Sequence, residues 1–276
     1  MSASPSPSSA APSSESPPSD EQWRQLLEDE APFLRTRRWH ARIPSSPRCK
    51  LCAAPFSGPG SLLMRFVGRE RWAKNPKYCT GCFGMLSSHH GGAEIECSLL
   101  FADVRGSTTL AETMSPREFN RLMGRFFDTA TSVLVDRDGI VDKFVGDEII
   151  GIFVPSMASR DHAARAVDAA GALLAETGFG TAAGPWVPIG IGVNTGVAYV
   201  GSIGDASDTE MTAMGDVVNV TARLASVAGA GEILVTSSAA AAAGLPADLP
   251  RRSLELKGKS HQTDVVVVTQ PRSGSR

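Results

Sequence analysis

Leu99-Leu100-Phe101-Ala102-Asp103-Val104-Arg105-Gly106-Ser107-Thr108 passes from an apolar run to a lone carboxylate and then to a small, hydroxyl-bearing turn. A second carboxylate, Asp147, follows Asp103 by 44 residues in Lys143-Phe144-Val145-Gly146-Asp147-Glu148, on a Gly-Asp turn between apolar runs. Each aspartate stands where a strand should end, so folding can join the pair into a two-carboxylate site for divalent metal. The backbone N–H groups of Gly106, Ser107 and Thr108 suit a polyphosphate. Together these features point to a nucleotide and a metal.

Working outward, 94–101 reads as a buried strand, and Ser115-Pro116-Arg117-Glu118 is a capping box with proline at the first helical position. Behind it Phe119, Leu122, Met123, Phe126, Phe127, Ala130, Val133 and Leu134 recur on one helical face, a core stripe that carries no chemistry. Gly139 ends that helix, and the runs 140–145 and 148–154 make a hairpin about Gly146-Asp147. Ser159 caps a second helix, and strands at 187–195 and 197–203 come next. Strand, helix, hairpin, helix, strand is the order of a ferredoxin-like α+β sandwich. A third helix over 216–227, a strand at 232–235, a short helix at 239–243 and a closing strand pair, 252–256 with 264–268, complete one sheet with helices on it.

The chain has 276 residues, 42% of them hydrophobic, and a formal net charge of −2, which suffices for one substantial core with a small appendage. No apolar run reaches the roughly 18 residues of a membrane span, and the N-terminus lacks the pattern of a signal peptide, so a cytoplasmic, reducing location and no membrane partner are expected. Residues 20–82 hold 12 Lys+Arg against 6 Asp+Glu, whereas 83–276 hold 15 against 22. Residues 1–19, rich in Ser, Pro and Ala, are expected to be disordered, as are 271–276. Residues 20–48 read as a helix around Trp23, Leu26 and Leu27 that ends near Pro32, followed by a basic linker in which Arg35-Thr36-Arg37-Arg38 is a solvated face.

Residues 49–93 form the next unit. Cys49-Lys50-Leu51-Cys52 and Cys79-Thr80-Gly81-Cys82 are two C-x-x-C pairs with 26 residues between them, the knuckle spacing of a tetrahedral Cys₄ zinc site. Four ligands leave no open position, which makes the site structural; spacing alone leaves an iron–sulfur centre as the alternative. Phe56, Phe66, Trp72 and Tyr78 are the candidate core of this ribbon, Cys97 a buried apolar filler, and His89 and His90 linker.

The motifs Phe101-Ala102-Asp103-Val104-Arg105-Gly106-Ser107-Thr108, Lys143-Phe144-Val145-Gly146-Asp147, Gly192-Val193-Asn194-Thr195-Gly196 and Gly215-Asp216-Val217-Val218-Asn219-Val220-Thr221-Ala222-Arg223-Leu224 resemble class III nucleotide cyclases over residues 94–270. The resemblance implies an enzyme that converts a nucleoside triphosphate to its 3′,5′-cyclic monophosphate and pyrophosphate in intracellular signal transduction. It implies two Mg²⁺ or Mn²⁺ ions on Asp103, Asp147 and the Val104 carbonyl. Asn219 and Arg223, at i and i+4, would orient the ribose and stabilise charge on the α-phosphoryl group. Lys257 would contact the triphosphate, with Lys259 a weaker candidate.

Lys143 can only donate, which suits adenine N1 and opposes the N1–H of guanine. Thr212 can accept from the adenine amino group, so the Lys and Thr pair resembles the adenylate-specific subgroup, some members of which respond to bicarbonate, and ATP is the expected substrate. Lys143 and Asp147 straddle one turn and cannot easily serve one substrate, so a homodimer with shared sites is expected. Many members carry a basic residue near Gly190; its absence here implies lower turnover. Two other readings stand beside this one: an inactive, ATP-binding sensor, and a basic zinc ribbon that binds nucleic acid and is dimerised by a cyclase-like domain.

Overall fold

The computed structural model describes residues 20–28, 34–45, 47–72, 77–88, 91–204, 210–259 and 262–269. The expected disorder at 1–19 and 271–276, the helix end near Pro32 and the linker histidines His89 and His90 fall outside those residues.

Strand β1 (Gly91–Val104) has side chains that alternate between two cores. Ile95, Cys97, Leu99 and Phe101 enter one cluster, while Leu100, Ala102 and Val104 enter the other. Cys97 is fully buried, as an apolar filler should be. Of the four helices among the described residues in front of β1, α1 (Asp20–Glu28) buries Trp23 and Leu27; α2 (Leu34–Ala41), α3 (Gly58–Phe66) and α4 (Thr80–Ser88) follow. Helix α1 and the cysteine module share the core on the first face of β1.

After β1 comes α5 (Ser107–Thr113), then α6 (Pro116–Asp136), whose Ser115–Glu118 capping box forms in both directions and whose Met123, Phe126, Ala130, Val133 and Leu134 are buried. Gly139 then faces Phe153 so closely that a Cβ would lie 2.8 Å from the ring, so glycine is needed there for packing. The hairpin is β2 (Ile140–Val145) with β3 (Glu148–Phe153). Next are α7 (Pro155–Ala158), a 3₁₀ segment at Ser159–Asp161, and α8 (His162–Glu176). Ser159 does not cap α8: it sits at φ 55°, its hydroxyl donates to the Ala158 carbonyl, and Asp161 holds the cap position.

The two strands expected over 187–203 are one, β4 (Ile189–Ile203). Gly196 stays in the ladder opposite Cys97, and its bare α-carbon admits Val217. Strand β5 (Glu210–Met214), α9 (Asp216–Val227), β6 (Glu232–Thr236), α10 (Ser237–Ala242), β7 (Arg251–Leu254) and β8 (Thr263–Thr269) complete the described elements. The sheet has eight strands in the order β2-β3-β1-β4-β6-β8-β7, with β5 paired to β4. Among these pairs only β4 and β6 run parallel. β1, α6, β2, β3, α8 and β4 give the split β-α-β order of the ferredoxin-like sandwich.

Two expectations for the front of the chain fail. Arg37 is not solvated: it is fully buried and donates to the carbonyls of Lys50, Leu51 and Gly139, which bolts α2 to the cysteine module and to the start of the hairpin. Burial lowers its pKa from the ordinary value, which Asp138 and the thiols of Cys49, Cys52 and Cys82 oppose. Phe66 is not core but 89% exposed, whereas Tyr78 is buried and Trp72 stacks on Phe83 with ring centroids 5.5 Å apart.

Helix α9 rests on bare backbone of β4. A Cβ at Gly192 would meet Ala225 N and Thr221 O at 2.7 Å. Gly192→Ala should therefore push α9 off the sheet at a cost of about 1–3 kcal/mol. Its melting midpoint, followed by circular dichroism, should fall by roughly 2–10 °C.

Candidate active site and metal centre

The end of β1 is held against the hairpin by backbone pairing. Asp103 is opposite Glu148 in the β1–β3 ladder, and the Val104 N–H donates to the Asp147 carbonyl at 3.4 Å. The two sequence-distant aspartates therefore sit on adjoining backbone. Arg105, which the sequence reading passed over, ion-pairs with Asp103; its N–H donates to the Pro188 carbonyl at 2.8 Å and its Nη1 to the Ser226 carbonyl at 2.7 Å. Glu148 is pushed up to about 7, first by burial and then by the charge of Asp147. Asp103, Asp147 and Glu148 thus bring acidic side chains, the residue type that supplies oxygen donors to divalent cations, to one end of the sheet with the Arg105 guanidinium among them.

Gly106 is the cap residue of α5 at φ 68°, and Ser107 and Thr108 form the first turn of that helix; the phosphate-type loop is a bend running into a short helix. Gly190 pairs with Asp103 across the β1–β4 ladder, and a Cβ there would lie 2.6 Å from the Ala228 carbonyl. A basic side chain at 190 is thus barred by the end of α9.

Helix α9 buries Val217, Val220, Thr221, Leu224 and Ala225, which turns Asn219 outward and leaves Arg223 half-buried. The segment after β7 reaches Arg223: Leu256 is buried, Lys257 is exposed, and a Cβ on Gly258 would be 3.4 Å from Arg223 Nη2. Asn219, Arg223 and Lys257 are therefore offered from one region. Lys259 instead pairs with Asp216 at the start of α9.

Lys143 and Thr212, which are 69 positions apart in the chain, meet at Asp142, a residue sequence reasoning did not single out. Asp142 is 2% exposed; its Oδ2 accepts from Thr212 Oγ1 at 2.8 Å and lies 3.6 Å from Lys143 Nζ. The β2–β3 register slips between Val141 and Phe144, a bulge at Asp142-Lys143 that re-aims both side chains. The available signal was a carboxylate beside Lys143 inside a strand that is apolar at its other positions.

The cysteine module is docked on the same strands. Lys50 Nζ donates to the Asp142 carbonyl, Lys77 pairs with Glu210, and Tyr78 Oη accepts from the Met211 N–H at 3.1 Å. Arg48 is spent on the carbonyls of His40, Ala41, Ile43 and Ala53. Much of the basic charge at the front of the chain is thus engaged by the protein itself.

Cys49, Cys52, Cys79 and Cys82 are buried, and their Sγ atoms all lie within 4.8 Å of one another. Cys52 Sγ and Cys79 Sγ are 3.6 Å apart. A disulfide needs about 2 Å, whereas an edge of a tetrahedron with metal–sulfur bonds of about 2.3 Å measures roughly 3.8 Å. The Cys79 N–H donates to Cys49 Sγ at 3.3 Å, as a backbone amide does to a metal-bound thiolate. The four sulfurs fit one tetrahedral ion.

Residues 93–269 match the family described as the adenylate and guanylate cyclase catalytic domain. Adenylate cyclase 1 of Rhizobium meliloti is 34% identical over 149 residues, 51% of this chain and 22% of that protein. Adenylate cyclase of Anabaena cylindrica is 27% identical over 188 residues, 62% of this chain and 36% of that protein. The chain thus spans about a fifth to a third of the length of these curated relatives. The crystal structure of the adenylyl cyclase CyaB from P. aeruginosa is similar at 26% identity and a TM-score of 0.55, over 65% of this chain and 96% of that one. That of the guanylyl cyclase Cya2 is similar at 26% and 0.55, over 64% and 93%. Among the described residues, no helix is long and apolar enough to cross a membrane.

Elemental analysis of the purified chain should find one thiolate-held metal ion per chain, and its identity separates zinc from iron. Cys52→Ser should lose that ion and lower the melting midpoint by at least about 5 °C, because the metal free energy is folding free energy for so small a module. A metal-free protein with unchanged melting would mean the thiols are packing residues only.

Proposed function

Because the chain belongs to the adenylate and guanylate cyclase catalytic-domain family, we propose that it converts ATP to 3′,5′-cyclic AMP and pyrophosphate at sites shared by two copies of the chain. The observation that carries this reading is the adjoining placement of Asp103 and Asp147 at the end of the β1–β3 ladder. Two divalent cations on Asp103, Asp147 and the Val104 carbonyl would acidify the ribose 3′-hydroxyl and neutralise the leaving pyrophosphate. Gly106, Ser107 and Thr108 border the triphosphate, and Lys257 takes one of its charges. Asn219 orients the ribose, and Arg223 presents a planar, permanently charged fork to the α-phosphoryl oxygens as charge builds there.

Overall likeness does not choose the base, since adenylyl and guanylyl cyclase structures match this chain equally well. The choice of ATP rests on Lys143, a donor for adenine N1, and Thr212, an acceptor for its amino group. The dimer rests on two features. Lys143 and Asp147 flank one hairpin turn, so one holds the base and the other the metal only if they serve different substrates. Phe144, Val145, Val197, Met214 and Val227 are also exposed, with Val145 at 51% and Val197 at 60%, an apolar area suited to a second copy. The four cysteines hold one structural zinc ion, which ties the front module to β2 and β5.

Purified chain given Mn²⁺ and either ATP or GTP, with products resolved by chromatography, should form cyclic AMP and little cyclic GMP. Absence of any cyclic product would leave an ATP-binding sensor. Asp103→Ala and Arg223→Ala should each abolish turnover alone. Mixed in equal amounts, they should recover about a quarter of wild-type activity, because half the dimers then carry one intact site of two. Mutants that stay inactive on mixing while exchanging subunits would refute shared sites.

A further inference from the structure

A threonine hydroxyl both donates and accepts, so Thr212 by itself cannot tell an adenine amino group from a guanine carbonyl. What it offers a base depends on where its own proton goes. Here Thr212 Oγ1 donates that proton to Asp142 Oδ2 at 2.8 Å, and Thr212 is only 7% exposed, so the group has little freedom to turn. With the proton committed, only oxygen lone pairs remain for a ligand. The same carboxylate oxygen lies 3.6 Å from Lys143 Nζ and draws the ammonium toward the same wall.

We propose that Asp142 is the positioning residue that makes this site adenine-specific, by capturing the Thr212 proton and holding Lys143, so that the wall presents one acceptor beside one donor. The inference rests on the reading of Lys143 and Thr212 as base-contacting residues. Three further observations support it. Asp142 is a carboxylate 2% exposed within β2, and a group so costly to bury needs a task. Its Oδ1 has no hydrogen-bond partner among the described residues, so the polar contacts of its side chain are made through Oδ2 alone. The register slip at Asp142-Lys143 takes this residue out of the regular β2–β3 ladder.

Guanine would meet the wrong pattern twice. Its O6 carbonyl would face the lone pairs of Thr212, and its N1–H would face the Lys143 ammonium. Asparagine at position 142 has nearly the shape of aspartate but lacks its charge. Its amide can donate to Thr212 and release the hydroxyl to point at a ligand, so discrimination against guanine should fall.

The test is the ratio of kcat/KM for ATP to that for GTP, measured on the full chain with Mn²⁺. Asp142→Asn should lower this ratio at least tenfold, chiefly by raising KM for ATP and lowering KM for GTP, with kcat for ATP little changed. In the Thr212→Val background, which has no hydroxyl to orient and leaves only the hold on Lys143, the same substitution should move the ratio at least threefold less than it does in the wild-type background. Asp142→Leu, which removes the carboxylate and suits the apolar strand, should repeat the effect and serves if the asparagine variant does not melt cooperatively. An equal loss for both nucleotides, or an equal shift with and without the Thr212 hydroxyl, would overturn the proposal and leave Asp142 as a packing residue. Wild-type protein that forms no cyclic AMP would instead overturn the reading beneath it.

Discussion

Pairing of β1 with β4 along its whole length on one side, and with β3 over Ser98–Asp103 on the other, is the interaction on which everything else depends. From Cys97 to Ala102 the strand is covered on both faces, so its side chains there must be apolar or internally satisfied. Ser98 shows this: it is fully buried, and its hydroxyl meets His162 Nδ1 at 2.9 Å and Thr195 Oγ1 at 2.6 Å. Burial holds the His162 pKa below its ordinary value, so the ring serves that network neutral. The strand thereby becomes a rigid rail. Polar side chains collect where it leaves the sheet, at Asp103, and the hairpin carrying Asp147 is zipped to that same end.

Long periodic elements were legible in the residues. The capping box and stripe of α6, the Gly146-Asp147 hairpin and the apolar face of α9 each follow from local rules that the packing does not contradict. Less legible were features decided by contacts between distant residues. Gly196 reads as a break, yet it is a point of close approach to Val217 inside one long strand. Strand β5 is five residues long and owes its existence to β4. Ser159 looks like a cap, but a backbone with positive φ and an intervening 3₁₀ segment move the cap to Asp161.

The candidate site divides in the same way. Asp103, Asp147, Asn219 and Arg223 could be named from motif and spacing. Arg105, Asp142 and Glu148 could not, because their significance comes from burial and from neighbours in other elements. Arg37 is the clearest example. A guanidinium in a basic stretch reads as solvated, and only the tertiary structure supplies the three carbonyls that make its burial tolerable.

The bulge in β2 has a consequence for how such a chain can vary over evolutionary time. Facing in a strand alternates with every residue, and the extra residue at Asp142-Lys143 resets that count midway through a six-residue strand. A point change at Phe144 or Val145 alters one side chain. Loss or gain of a single codon just before Asp142 would instead turn it to the face that Val141 holds, away from Thr212. Length should therefore be held more strictly in this stretch than identity, a selection pressure on insertions and deletions that no single side chain reveals.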